Sequence, residues 1–347
     1  MPAIIGSILQ KARLSSKAAC LVLAGLSTYQ VRASANDVVE QRIDEIMQEA
    51  ARKDAFNGNV LVAVNNEVVY SHSFGFTDAA GTKKLDSSYR FNIGSITKEF
   101  SSVAILQLQE EGKLNLEDPV STYLPEFSPW ADRVAVKYLL NYTSGIPNVH
   151  WKKVRGDKDI YDGLRGIQTL DFDPGSSYDY NNNNIFVRQL IVERLTGRPY
   201  KAYVAEEIFR RCDMPGAAIT PIVVGSDIAS GFKENLVADK PELPITGGSY
   251  LSTTDLLNWS RCLNSGNLLN AVSLAALADR YDSADSQSSL GQVEYQDGRL
   301  SRHVHDGRSG SYESLLISSG GLTIVLLGNS YRGKLFELAD AIEASLM

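Results

Sequence analysis

The chain has 347 residues, 44% of them apolar, and 34 basic against 41 acidic side chains leave a formal net charge of −7. That length supports one large or two nested domains with a real core, and a mildly acidic chain without a basic run gives no footing for nucleic-acid binding. Three cysteines are too few for a disulfide framework.

Lys11, Arg13 and Lys17 precede a short apolar stretch, Ala18 to Leu26, which runs to Ala33-Ser34-Ala35. Basic residues, an apolar stretch and small residues in that order predict an export signal over 1–35, cleaved after Ala35. A product in the periplasm or secreted then follows, depending on the cell envelope. Cys20 does not read as a lipid anchor, because Lys17 stands where an apolar residue should precede the modified cysteine. No later segment is apolar enough to cross a bilayer. Beyond the leader, Cys212 and Cys262 are expected as two buried free thiols, with a single disulfide as the other reading.

Val60–Val64 and Val68–Tyr70 are rich in β-branched residues around Asn65-Asn66, a pair that tolerates positive φ, which predicts a β-hairpin. Gly94 and Ser95 then open a helix whose apolar positions include Phe100, Val103, Ala104 and Leu108 and which stops at Gly112; Ile105 and Leu106 make it apolar on further faces, so it is expected to be buried. Residues 110–265 read as loops and short helices punctuated by prolines, the clearest helix being Ile185–Thr196, ended by Gly197. A second hairpin, Tyr312–Ile317 and Leu322–Leu327, precedes a closing helix marked by Leu335, Leu338, Ile342 and Leu346. Strands at both ends with helices between predict an α+β fold: one antiparallel sheet built from both chain ends (36–93 and 290–347), flanked by helices, with a mainly helical insert over 94–289.

Ser95-Ile96-Thr97-Lys98 is the first candidate for chemistry. A serine hydroxyl is a poor nucleophile until something takes its proton, and a lysine one helical turn on projects from the same face. Burial or neighbouring cations would make that lysine a neutral base. The spacing occurs twice, but Ser230–Lys233 sits beside Gly231 in a polar stretch, whereas Ser95 heads an apolar helix.

Tyr180-Asn181-Asn182 follows Pro174-Gly175 and precedes a helix, so a loop fixed at both ends would present a phenol and an amide to a cleft; the plainer reading is a tyrosine packed under a polar loop. His305-Asp306-Gly307 lies just before the terminal hairpin, where an edge strand would set a donor side chain and a glycine against substrate, or where a histidine simply sits at a surface turn. His303, His305 and Asp306 also resemble a fragment of a zinc motif, but His72 and His150 are the only other histidines and no second cluster completes it.

These three motifs, in this order, resemble the serine β-lactamase, DD-carboxypeptidase and esterase superfamily, in the branch similar to class C β-lactamases. The nucleophile role of Ser-x-x-Lys in such proteins is general knowledge. FNIGSITKEF (Phe91–Phe100), LLNYTSGIP (Leu139–Pro147), Pro174–Asn182, GGSYLSTTDLLNW from Gly247 and the stretch His305–Asn329 each resemble a segment of that superfamily. The resemblance implies Ser95 as nucleophile, Lys98 as its proton partner, Tyr180 as general base and acid, and Asn182 as ligand for a substrate amide. It sets His305 and Gly307 where many members carry Lys-Thr-Gly, and gives the oxyanion hole to the backbone N–H groups of Ser95 and Arg308.

Two departures stand out. Histidine for lysine in the third motif resembles the esterase and peptidase relatives more than dedicated β-lactamases. Tyr142 stands where relatives often carry histidine, with an effect expected on packing. Arg308 is either a handle for a substrate carboxylate or an idle surface arginine. The function expected is acyl transfer through an acyl-enzyme, without metal or organic cofactor, on a small-molecule or peptide substrate with an ester, D-amino-acid peptide or β-lactam carbonyl. The rival readings are an inactive scaffold that binds peptidoglycan or peptides, and a metal-dependent hydrolase using His303 and His305.

Overall fold

β-branched and aliphatic residues at alternating positions dominate both ends of the chain, and they pair with each other. The computed structural model describes residues 35–219, 227–233, 235–239 and 248–346. Most of the expected leader lies outside the described residues, as does Gly247; Ala35 opens helix α1 (Ala35–Arg52). Strands β1 (Gly58–Val64) and β2 (Glu67–Phe74) form the first hairpin, with Asn65 and Asn66 at φ 51° and 68° in its turn. The short strand β3 (Phe91–Asn92) leads through a 3-10 turn, Gly94–Thr97, into α2 (Lys98–Glu110).

The middle of the chain supplies α3 (Val136–Leu140), α4 (Asp157–Arg165), α5 (Asn182–Thr196), α6 (Tyr200–Val204), β4 (Ala218–Ile219), β5 (Ser249–Leu251), α7 (Thr253–Leu263) and α8 (Ala271–Ala278). Strands β6 (Gln292–Gln296), β7 (Arg299–Ser309), β8 (Tyr312–Ser319) and β9 (Leu322–Gly328) and helix α9 (Leu335–Leu346) complete it. Six strands form one antiparallel sheet in the order β2-β1-β9-β8-β7-β6, so the two ends of the chain meet at the β1–β9 ladder. The α+β architecture is the expected one; β3-β5-β4 form a second, small sheet that pattern alone does not predict.

Successive side chains of a strand face opposite sides of the sheet. Val60, Val62, Ile324 and Leu326 therefore face a core shared with Ile43 and Met47 of α1 and Ile342 of α9, while Leu61, Ala63, Val325 and Leu327 face the helical layer around Phe100 and Trp259. Helix α2 is buried from Glu99 to Leu108. It can afford no charge without a partner.

Cys212 and Cys262 correct the expectation of free thiols: they form a disulfide, with Cα atoms 5.4 Å apart. Fifty residues separate them in sequence, and only the docking of α7 beside the segment after α6 brings them together.

Candidate active site

Ser95 stands at the head of α2 because the backbone before it is bent and pinned. Gly94 adopts φ 52°, a conformation that glycine reaches without strain, and its N–H donates to Asn92 Oδ1. Ile93 is held on both sides: its N–H donates to Ser249 O, and its carbonyl accepts from Ser314 Oγ at 2.8 Å. Lys98 Nζ then donates to Ser95 Oγ at 3.0 Å. The second Ser-x-x-Lys copy lies in a loop rather than at the head of a helix.

A chain of polar contacts between two loops positions Tyr180. Asp179 N donates to Tyr142 O, Ser144 Oγ donates to Asn184 Oδ1 at 2.5 Å, and Asn183 Nδ2 donates to Pro147 O at 2.7 Å. Asn181 caps α5 through Asn183 N and also donates to Ile146 O. The Tyr142 ring packs at 4.9 Å against the Tyr180 ring, and the Lys98 ammonium lies 5.2 Å from the Tyr180 centroid. Ser95 lies close enough to the Tyr180 hydroxyl to pull its pKa down. Asn182 is half-buried beside it, and its side chain makes no hydrogen bond among the described residues.

The electrostatics set Lys98 and Tyr180 apart. Burial, reinforced by the Arg188 guanidinium, lowers Lys98 to about 8. Burial raises Tyr180 to about 12; Ser95 and Arg188 oppose that rise, and the Asp306 and Glu99 carboxylates add to it. Near neutral pH the tyrosine is a phenol, and the lysine is the group able to change charge. Arg188, which sequence reasoning missed, is 0% exposed; it donates to Ser102 Oγ at 2.6 Å and lies 5.9 Å from the Tyr142 centroid. The available signal was a cation on the apolar face of α5.

Strand β7 brings its end against the serine. A Cβ on Gly307 would fall 2.1 Å from Ile93 O and 2.9 Å from Ser95 N, and one on Gly94 would fall 2.3 Å from Arg308 N. Only glycine at both positions allows this approach of β7 to the backbone around Ser95. The strand is not an edge strand throughout: β6 pairs with it from Arg299 to Val304. The Arg308 guanidinium turns away, 3.8 Å from the Tyr331 centroid.

His305 is 4% exposed and its Nδ1 lies 2.5 Å from Glu99 Oε1. His303 Nε2 reaches the same oxygen at 2.9 Å. Glu99, also missed, was legible as an acid inside an apolar helix, but its histidine partners lie more than 200 residues away. Among the described residues, Glu99, His303 and His305 are the group that could gather around a metal ion, their ligand atoms lying within 4.8 Å of one another.

The beta-lactamase family model matches residues 39–345. The chain belongs to the beta-lactamase family. PbpX of Bacillus subtilis strain 168, a protein named for penicillin binding, is 31% identical over 249 residues, 67% of this chain and 60% of its own. Penicillin-binding protein 4* of the same strain is 30% identical over 182 residues, 49% of this chain and 39% of its own. The matches thus span about 40 to 60% of these relatives' own lengths. A solved penicillin-binding protein from Bacillus halodurans superposes with a TM-score of 0.75 at 25% identity, covering 87% of this chain and 98% of its own. A class C beta-lactamase gives 0.77 at 18% identity, with 91% and 98% covered, which shows the shared fold. No helix among the described residues is long and apolar enough to cross a membrane.

Proposed function

We propose that the protein is a serine hydrolase acting through an acyl-enzyme on Ser95. The observation that carries this reading is the 3.0 Å contact between Lys98 Nζ and Ser95 Oγ, with the Tyr180 ring centroid 5.2 Å from the same ammonium. Neutral Lys98 takes the Ser95 proton as Oγ attacks the carbonyl carbon, and the carbonyl π pair moves onto oxygen. The Ser95 and Arg308 N–H groups stabilise that oxyanion. As the tetrahedral adduct collapses, the leaving group departs with a proton from the Tyr180 phenol, which is refilled from the Lys98 ammonium. Water then attacks the acyl-enzyme by the reverse relay. These steps call on no metal or organic cofactor.

The substrate class is an ester, a D-amino-acid peptide or amide, or a β-lactam. Histidine in place of lysine at the third motif favours a peptidase or esterase over a dedicated β-lactamase, and Asn182, with its free amide, is the proposed ligand for a substrate amide. Export to an oxidising compartment agrees with the Cys212–Cys262 disulfide. An inactive binding scaffold would have no use for a lysine whose pKa is lowered to about 8 beside a serine.

Mass spectrometry of the intact protein and of Ser95→Ala, after exposure to a fluorescent penicillin and separately to a fluorophosphonate, tests the reading. Wild type is expected to gain at least one adduct that the variant lacks. A folded wild type labelled by neither probe would overturn it in favour of the scaffold.

A further inference from the structure

Glu99 is 0% exposed, one residue past Lys98 in α2. A buried carboxylate is costly unless hydrogen bonds saturate it. Three N–H donors converge here from two other elements. Trp259 Nε1, on α7, donates to Oε2 at 2.5 Å, while His303 Nε2 and His305 Nδ1, on β7, meet Oε1 at 2.9 Å and 2.5 Å. Burial pushes Glu99 up, but the hydrogen bonds from the two histidines pull it down, so it is an anion that accepts every one of these bonds.

The remaining ring nitrogens, His303 Nδ1 and His305 Nε2, are buried without a hydrogen-bond partner among the described residues. The contact to Glu99 dictates which ring nitrogen of each histidine carries a proton toward the carboxylate. The spacing is that of hydrogen bonds. Two ligands on one tetrahedral zinc, each about 2.1 Å from the ion, stand about 3.4 Å apart, farther than either contact to Oε1.

The bonds join the two elements that carry the proposed oxyanion donors. Glu99 lies four residues after Ser95, and His305 lies two before Gly307, where β7 touches Ser95 N. We infer that Glu99 is a positioning residue, holding His303 as the Nε2–H tautomer and His305 as the Nδ1–H tautomer and thereby clamping β7 to α2 with Arg308 N–H beside Ser95 N–H. Its kinetic consequence rests on the reading of Ser95 as nucleophile. Its structural content does not.

Two-bond 1H–15N spectra of the full-length protein carrying 15N-histidine test it without turnover. The expected pattern is a proton on Nδ1 and none on Nε2 for His305, and the reverse for His303. In Glu99→Gln, whose amide cannot accept from both rings and from Trp259, the pattern changes, and fluorophosphonate labelling of Ser95 slows about 10²-fold through misplacement of the oxyanion donors. A proton on His305 Nε2 in wild type, a doubly protonated ring, one zinc per chain by elemental analysis, or unchanged labelling of Glu99→Gln would each overturn the clamp. Should that variant fail to fold, the wild-type spectrum alone decides. A wild type that shows the expected tautomers but takes no label would sink the acyl-enzyme reading and leave the clamp standing.

Discussion

Lys98 Nζ lies 3.0 Å from Ser95 Oγ, and burial together with Arg188 brings the lysine to about 8. On the proposed reading the base is the neutral amine, which predominates above that pKa. Labelling of Ser95 by a fluorophosphonate should therefore fall as pH drops through about 8, each unit below it costing about tenfold. A profile flat from pH 6 to 9 would remove Lys98 as the base.

The Arg188 charge depresses Lys98. Replacing it with a neutral side chain of similar length, Arg188→Met, should move the pH limb of labelling upward, whereas Arg188→Lys keeps the charge and should leave the limb nearer wild type. Equal limbs in Met and Lys variants would show that burial alone sets the lysine.

Gly307→Ala would drive a methyl group to 2.1 Å from Ile93 O. The strand must then withdraw from Ser95, and labelling should slow by about 10²-fold or more, the cost of losing one oxyanion donor. Circular dichroism and melting of the variant separate this from unfolding. Wild-type labelling in a folded Gly307→Ala protein would exclude the Arg308 N–H from the oxyanion hole.

The disulfide closes a loop of about fifty residues. Cys212→Ser combined with Cys262→Ser should cost about 2–4 kcal/mol in denaturant unfolding. The thiol-free protein should keep Ser95 labelling, since neither cysteine touches the site. An unchanged unfolding midpoint would show that the crosslink adds nothing to stability.

What the sequence discloses depends on how local each signal is. Ser95 and Lys98 are legible because one helical turn separates them, and the hairpins because β-branched runs flank turn residues. Tyr180 was legible only from the loop around it. Glu99 and Arg188 were not read, because their meaning lies in partners: an acid beside two histidines about 205 residues away, and an arginine facing Ser102 across two packed helices. The small sheet escaped for another reason. Strands of two or three residues such as β3, β4 and β5 are too short to display an alternation. His305 was recognised as a site residue, yet its neighbour in the folded protein is Glu99, and burial, which fixes that partner, cannot be read from an H-x-G triplet.

The ladder that pairs Val60 with Leu326 and Val62 with Ile324 joins residues more than 260 positions apart. Contacts at such separation form late, after much of the chain has paid its loop-closure entropy, so folding is governed by encounter of the two ends rather than by growth from one of them. A chain emerging N-terminus first holds β1 and β2 with no partner for β1's second edge until β9 has been made. Through that interval the open edge of β1 is a template for pairing with another chain.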